Sequence, residues 1–364
     1  MNSSNKKGGL FAGVISGILM ILIGTVLLWW NEGNNVRNIR TTNEIEKTVV
    51  EIVSDSDPAQ YAGQLVAVGG RFTTVDKSLT DDLFTVSVHT PALRRVVEMY
   101  QWEEDSDTDS DGDTTYTYEK VWKEGLIDSS NFHRGGHENP TSSPYDSEAW
   151  YADKVTLGKY TLSSPQIEQI TANRTFSPDG ENLKIPEGFT LSGKWLTNAA
   201  DLDKPEIGDI RLSWKYNDWK ELSLIATVSE NSFVSYVSSQ GKKVNYVTEG
   251  NRSAAEMIAD MRAADKALKW VMRLFGAVIL VMGYFSLISP LTKIASFVPL
   301  LGNVINGALF VVVFLIGMTH SLLIIAIAWF RFRPLLGILL IAACAGMGFA
   351  AHLLMNKRRA AVTA

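Results

Sequence analysis

A single cysteine, Cys344, stands in 364 residues, and it lies within an apolar run. No disulfide can staple the chain, and cysteine usage does not separate an oxidising from a reducing compartment. The signatures of common chemistry are missing as well. There is no GxxxxGK[ST], no GxGxxG, no GxSxG and no HExxH, so the sequence offers no phosphate cradle, nucleophile elbow or helical zinc pair. Acid is absent from both ends. All 39 Asp and Glu fall between Asn31 and Leu268, a stretch of net charge −15, while the remaining residues carry +10. An acidic stretch of that size repels phosphate backbones, which argues against nucleic acid as a partner. Finally, no Asp, Glu, Lys or Arg lies between Lys293 and Arg331, a gap that a water-soluble core does not produce.

What is present explains these gaps. Three apolar runs fill Trp270 to Met355: VMRLFGAVILVMGYFSLIS, NVINGALFVVVFLIGMTHSLLIIAIAWF and PLLGILLIAACAGMGFAAHLLM. At ~1.5 Å per residue, ~20 apolar residues cross a hydrocarbon core of ~30 Å, so each run is long enough for one crossing. A fourth run, Leu10 to Trp30, ends in Trp29 and Trp30 without a small-residue cleavage site. It reads as an uncleaved anchor with an aromatic belt rather than a signal peptide. The expected fold is therefore an α+β membrane protein, with one N-terminal and three C-terminal transmembrane helices enclosing a β-rich soluble domain. Its expected divisions are an N-terminus (1–9), a first span (10–30), the domain (31–252), a juxtamembrane helix with the second span (253–289), an interfacial loop (290–303), third and fourth spans (304–330 and 334–355) and a basic tail (356–364).

Four spans place both termini on one side. Lys6, Lys7, Lys293, Lys357, Arg358 and Arg359 then lie on the terminal side, against Arg331 and Arg333 on the other, so the termini are expected in the cytoplasm and the domain in the lumen or outside the cell. Lys269 and Arg273, at the domain-side end of the second span, pull the other way.

Within the domain, alternation marks candidate strands at Leu65–Phe72, Leu83–His89, Arg95–Trp102, Thr115–Trp122, Phe189–Leu196, Asp209–Tyr216 and Leu222–Ser229. RVVEMYQW and TYTYEKVW are expected to pair as a hairpin whose tip is the acidic Glu103–Asp113, with Tyr116, Tyr118, Lys120 and Trp122 on one face. Pro165 sets a helix start for QIEQITANR. Ser253 and Glu256 form a capping box for an exit helix that meets no Gly or Pro before Gly276, so one helix from Ser253 to Ser289 would couple domain to membrane.

Several residues invite chemistry, each beside a plainer reading. Asp107, Asp109 and Asp111, followed by Gly112, resemble the start of a calcium loop, but Tyr118 stands where the closing Glu belongs, and a solvated hairpin tip is the plainer reading. His133 and His137 have the gap of a helical metal pair and would serve a metal-dependent hydrolase, yet Gly135, Gly136 and Pro140 oppose a helix. His320, inside the third run, raises a channel or transporter reading against that of a histidine bonded to a neighbour. Arg273 and His352 sit near span ends, where they can reach the interface. Gly13-x-x-x-Gly17 and the small residues Ala343 to Ala351 allow close helix contacts or a homo-oligomer. No cofactor motif is present, and enzyme function is not supported.

With these residues laid out, the chain resembles the transmembrane protein 43 (LUMA) family. The resemblance rests on WWNEG at the exit of the first span, LRRVVEMYQW with TYTYEKVW, GHENP followed by ADKVTLGKYTL, GDIRLSW, FVPLLG and AWFRFRPLLG. It covers nearly the full length and implies four spans, cytoplasmic termini and a large lumenal domain, with no catalytic residues to carry over. For eukaryotic members it implies residence in the endoplasmic reticulum and inner nuclear membrane, and organisation of the nuclear envelope through partner proteins. A bacterial chain would instead place the domain in the periplasm or outside. The function expected is a non-enzymatic scaffold embedded in the lipid bilayer that gathers membrane or lumenal proteins.

Overall fold

The computed structural model of the chain describes residues 3–75, 78–108, 114–178, 182–295 and 302–335. In chain order its elements are α1 (Ser3–Thr48), β1 (Val50–Val53), β2 (Leu65–Thr74), β3 (Leu79–Asp81), β4 (Val86–Val88), β5 (Ala92–Thr108), β6 (Thr114–Glu124), β7 (Glu148–Tyr151), β8 (Val155–Leu157), β9 (Tyr160–Thr161), α2 (Ser164–Ile167), β10 (Arg174–Phe176), β11 (Thr190–Ser192), β12 (Trp195–Thr197), β13 (Ile210–Tyr216), β14 (Glu221–Ser229), β15 (Ser232–Val234), β16 (Tyr236–Val237), β17 (Lys243–Val244), β18 (Tyr246–Glu249), α3 (Ala254–Ala295) and α4 (Gly302–Phe332). They form two units, one helical (Met1–Asn43 with Asp260–Ala364) and one β-rich (Glu44–Ala259).

Among the described residues three helices are long and apolar enough to cross a membrane, over Gly13–Thr48, Ala254–Ile288 and Leu309–Phe332. The protein is an integral membrane protein of α+β class with one such helix N-terminal to the β-rich unit and two after it. The fourth expected span, 334–355, lies outside the described residues save for its first two, as do the tail 356–364, Cys344, His352 and the small residues Ala343 to Ala351. The first helix does not stop at Trp30. It continues to Thr48 because no proline interrupts it before Pro58 and because its polar extension has partners on α3: Asn38 Nδ2 donates to Asp265 at 2.6 Å and Arg262 Nη2 to Asn43 at 2.9 Å. The exit helix is unbroken through Gly276, as its pattern predicts, and Ser253 and Glu256 make the reciprocal capping box, with Ser253 N donating to Glu256 Oε2 at 2.9 Å and Glu256 N to Ser253 Oγ at 3.3 Å. It also overruns the expected loop 290–303 as far as Ala295, and α4 begins at Gly302.

Small residues bring α1 and α3 together. A Cβ on Gly17 would stand 2.7 Å from the Gly283 carbonyl oxygen, and the Gly13 carbonyl accepts Ser286 Oγ at 2.7 Å. The Gly13/Gly17 stripe is thus spent on a contact within the chain, where close backbone approach gains dispersion contacts that lipid cannot supply.

The β-rich unit holds two principal sheets. In the first, the order β1-β2-β8-β9-β15-β14-β18 gains a β2–β14 pairing that closes five strands into a ring. Its core takes Val66 and Val68 from β2, Leu157 from β8, Tyr160 from β9 and Leu222, Leu224, Ala226 and Val228 from β14, the alternate residues of LVAV and ELSLIATVS as a half-buried strand requires. The second sheet runs β11-β12-β13-β5-β6, with β10 on β13 and β7 on β5. Leu93, Val97, Met99, Leu196, Ile210, Leu212 and Trp214 make its core.

Three elements differ from expectation. Of the strand expected at Leu83–His89 only β4, Val86–Val88, is extended; it pairs back on β3, which precedes the expected start, because Asp81 Oδ1 accepts Leu83 N at 3.2 Å and Thr85 takes φ 56°, turning the chain before β4. Phe189–Leu196 is split at Gly193, whose φ of 59° suits the turn joining β11 to β12. The helix from Pro165 lasts one turn, and Ile167 and Ile170 are drawn into the first core.

A buried ionic group sits in the second core. Arg95 is 2 % exposed and Asp81 fully buried; Arg95 Nη1 reaches both Asp81 oxygens at 2.7 Å, and Trp214 Nε1 donates to Asp81 Oδ2 at 2.9 Å. Arg95 also donates to the Asp146 carbonyl and to Glu148, and lies against the rings of Phe84 and Trp150. The register makes this possible, since Arg95 pairs with Trp214 on one side and Glu148 on the other.

Candidate functional site

Opposite its core, the second sheet presents rings and cations. The β5–β6 register sets Tyr100 beside Trp122, Trp102 beside Lys120, Glu104 beside Tyr118 and Ser106 beside Tyr116. Tyr116, Tyr118, Lys120 and Trp122 do share this face, as period-2 alternation predicts. Arg211 of β13 lies between Trp122 and Trp195, 4.5 and 4.2 Å from their ring centres, and Glu98 fixes its fork with bonds of 2.9 and 3.1 Å. Lys120 lies over Trp102 at 4.8 Å and Lys194 over Trp195 at 4.9 Å. Each such contact is worth about 0.5–1 kcal/mol at an exposed site, and together they hold large amphipathic rings half-exposed at low entropic cost.

A loop, residues 127–139, is strapped over one part of this face. Buried Gln101 accepts Ile127 N at 2.9 Å and donates to the Gly125 carbonyl at 2.6 Å. Asn139 acts as a strand partner for Trp102, accepting its N–H at 2.7 Å and donating to its carbonyl at 2.8 Å. His133 stacks on Tyr116 at 4.0 Å, and His137 stacks on Tyr118 at 3.8 Å with its edge toward Trp102. The imidazoles are therefore engaged by their faces with separate tyrosines rather than turned to a common centre. Among the described residues no three His, Cys, Asp or Glu are placed to hold a metal ion. Asp107 lies in β5 opposite Thr115; Asp109, Asp111 and Gly112 lie outside the described residues.

Glu104 joins strap to hairpin, accepting Tyr118 Oη at 2.5 Å and His133 N at 2.6 Å. The Tyr118 hydrogen bond holds the Glu104 carboxyl below the usual carboxylate range. Partial burial, and then the same bond, push the Tyr118 phenol up.

The helical unit contains a second polar group, which the sequence does not announce. Glu32 is 1 % exposed. Its Oε1 accepts Arg273 Nε at 2.6 Å and its Oε2 accepts Trp329 Nε1 at 2.9 Å, so one carboxylate joins α1, α3 and α4. Arg273 stacks on Trp270 and Trp329 rather than reaching outward to an interface. Asn31 Nδ2 donates to the Lys269 carbonyl at 3.2 Å, Trp29 meets Phe332, and a Cβ on Gly33 would stand 2.8 Å from the Phe332 ring. WWNEG and AWFRFR, nearly three hundred residues apart, thus build one site. The signal that could have found it is a lone Glu directly after an apolar run, which has to meet a cation if that end is buried. His320 has the plainer role, its Nδ1 lying 3.0 Å from Tyr284 Oη.

An N-terminal span, a large β-rich unit with an aromatic and cationic face, and C-terminal spans tied to the first by a buried carboxylate define a multi-pass integral membrane protein. A family model described as "Transmembrane protein 43" matches residues 99–334, and the chain belongs to that family. It is 28 % identical over 347 residues to the transmembrane protein 43 homolog of Drosophila melanogaster, covering 90 % of each chain. It is 27 % identical over 360 residues both to transmembrane protein 43 of Homo sapiens and to that of Rattus norvegicus, covering 93 % of this chain and 88 % of each of theirs. No solved structure matches.

Proposed function

We propose that the protein is a non-enzymatic multi-pass membrane scaffold, gathering membrane and lumenal or extracytoplasmic proteins through its β-rich unit. The observation that carries this reading is the stack of Trp122, Arg211 and Trp195 with the neighbouring Tyr100 and Trp102. Trp, Tyr and Arg are the residues that dominate binding energy at protein interfaces, where rigid rings bury large area for little lost rotamer freedom. Both termini are proposed to be cytoplasmic, with the β-rich unit on the other side of the bilayer. In a eukaryotic cell the membrane would be that of the endoplasmic reticulum and inner nuclear membrane, with organisation of the nuclear envelope as the role; in a bacterium it would be the cell membrane. Self-association of the helical units is part of the same proposal.

Crosslinking with mass spectrometry in native membranes tests it, with protease accessibility of residues 109–113, the tip that joins β5 to β6, as the check on topology; the expected tip is longer, but Glu103 to Thr108 belong to β5 and pair with β6. A defined partner set, with the tip cut only from the non-cytoplasmic side, is the expected result. Crosslinks confined to copies of this chain, together with ion flux in liposomes, would favour a homo-oligomeric pore and overturn the reading.

A further inference from the structure

Positive charge at the Glu32 site exceeds what one carboxylate answers. Arg273 holds the ion pair. Lys269, one turn earlier on α3, lies within electrostatic reach of Arg273, Arg333 and Glu32. Arg333 follows Phe332, which packs on Trp29 and Gly33, and its backbone N–H donates to the Trp329 carbonyl at 2.7 Å. Two further cations, Lys269 and Arg333, thus stand at the same end of the unit as the Glu32–Arg273 pair. The helical unit has only two other acids, Asp260 and Asp265; Asp265 accepts Asn38, and Asp260 lies more than two turns before Lys269.

Unmet donors point the same way. Arg333 Nη2 and Asn35 Nδ2 are buried with no hydrogen-bond partner among the described residues. Asn35 is 5 % exposed and lies one turn along α1 from Glu32. A buried donor left unpaired costs about 1–3 kcal/mol, and a tetrahedral oxyanion is the ligand whose acceptors match both a guanidinium fork and a nearby ammonium.

We propose that this end of the helical unit is a phosphate site, filled by the headgroup phosphate of an anionic phospholipid. The apolar surface beside it favours a lipid over a free ion. Val26, Trp30 and Phe330 are 65 %, 50 % and 42 % exposed, a surface suited to acyl chains, and tryptophan marks the headgroup level. Basic pockets between membrane helices select anionic headgroups by the same charge complementarity.

The test uses the full chain in vesicles or nanodiscs of phosphatidylglycerol or phosphatidylcholine, read by native mass spectrometry for retained lipid and by the thermal midpoint. Phosphatidylglycerol should be retained over phosphatidylcholine and should raise the midpoint. Arg333→Gln and Lys269→Gln should each lower its retention roughly fivefold, and Arg333→Lys should keep most of it. In phosphatidylcholine alone the Arg333→Gln midpoint should match that of the unaltered chain, since Arg333 Nη2 has no hydrogen-bond partner to lose among the described residues; a structural role would lower it in both lipids. Equal retention of the two lipids, or unchanged retention in both Gln variants, would overturn the site. Stabilisation by inorganic phosphate but not by phosphatidylglycerol would overturn the lipid assignment. The readout is bound lipid, so its failure is distinct from failure of protein capture by the β-rich unit.

Discussion

Glu32 and Arg273, 241 positions apart in the chain, meet at 2.6 Å with side chains 1 % and 11 % exposed. A carboxylate so placed is stable only while its cation is present, because charge removed from water without a partner is far costlier than the pair. Removing one side should therefore cost about 3–5 kcal/mol. Glu32→Gln in the full chain, followed by thermal unfolding in nanodiscs, should lower the midpoint clearly. The Glu32→Gln, Arg273→Gln double variant should recover part of the loss. A double variant as unstable as the sum of the singles would mean that the two groups are not coupled.

The β-rich unit has its own version of this dependence. Asp81→Ala leaves Arg95 buried without its bidentate partner and takes away the acceptor of Trp214, so a loss of about 3–5 kcal/mol is expected by denaturant titration. Arg211→Lys, on the half-exposed outer face, gives up the stacked fork but keeps the charge and should cost under about 1 kcal/mol. If Asp81→Ala unfolds at the same denaturant concentration as the unaltered chain, the buried pair has been misassigned.

Close packing of α1 on α3 gives a third expectation. Gly17→Val would drive a side chain into the Gly283 backbone, where the gap is 2.7 Å and backbone cannot yield as a side-chain tip can. Overpacking of this kind costs about 1–3 kcal/mol. Gly63→Ala, with open space around its Cβ but a φ of 76°, tests backbone strain alone. A fall in midpoint for Gly17→Val no larger than for Gly63→Ala would contradict the close contact.

Glu104 makes the strap sensitive to acid. Its folded-state pKa lies below the unfolded value, so the stabilisation it gives is present above about pH 4.3 and is lost as pH falls through the lower folded value. The protection factors of the His133 and Arg134 amides, whose N–H groups bond to Glu104 and Tyr118, should fall in that acid window ahead of those of β13. Glu104→Gln should remove the pH dependence. Exchange that tracks global unfolding at every pH would contradict a strap held by Glu104.

Much of this was legible in the sequence, for a physical reason. Tyr116, Tyr118, Lys120 and Trp122 declare a face because strand side chains alternate, and Ser253 with Glu256 declares a helix start because the two satisfy one another across three residues. Both signals are local. The Glu32–Arg273 pair and the Trp122–Arg211–Trp195 stack were not legible, since periodicity tells which face of an element is buried and not which distant element meets it. Leu83 to His89 and Phe189 to Leu196 were misread in detail because three-residue strands are shorter than the window in which alternation can be recognised, and the turns beside them rest on single residues such as Thr85 and Gly193. The three-residue gap between His133 and His137 carries a metal signal only on a helix; on a loop it sets two stacking positions along a hairpin.

Partner capture tests the central claim most directly. The unaltered chain and a Trp122→Ser, Arg211→Ser double variant would be expressed to equal level in native membranes, crosslinked, and compared by quantitative mass spectrometry, with amide exchange of β13 showing that both fold. The account predicts that a defined partner set is lost or reduced more than tenfold in the variant, while crosslinks within the helical unit persist. An identical partner set from both chains would show that the aromatic and cationic face does not recruit, and would contradict the scaffold reading as argued from that face.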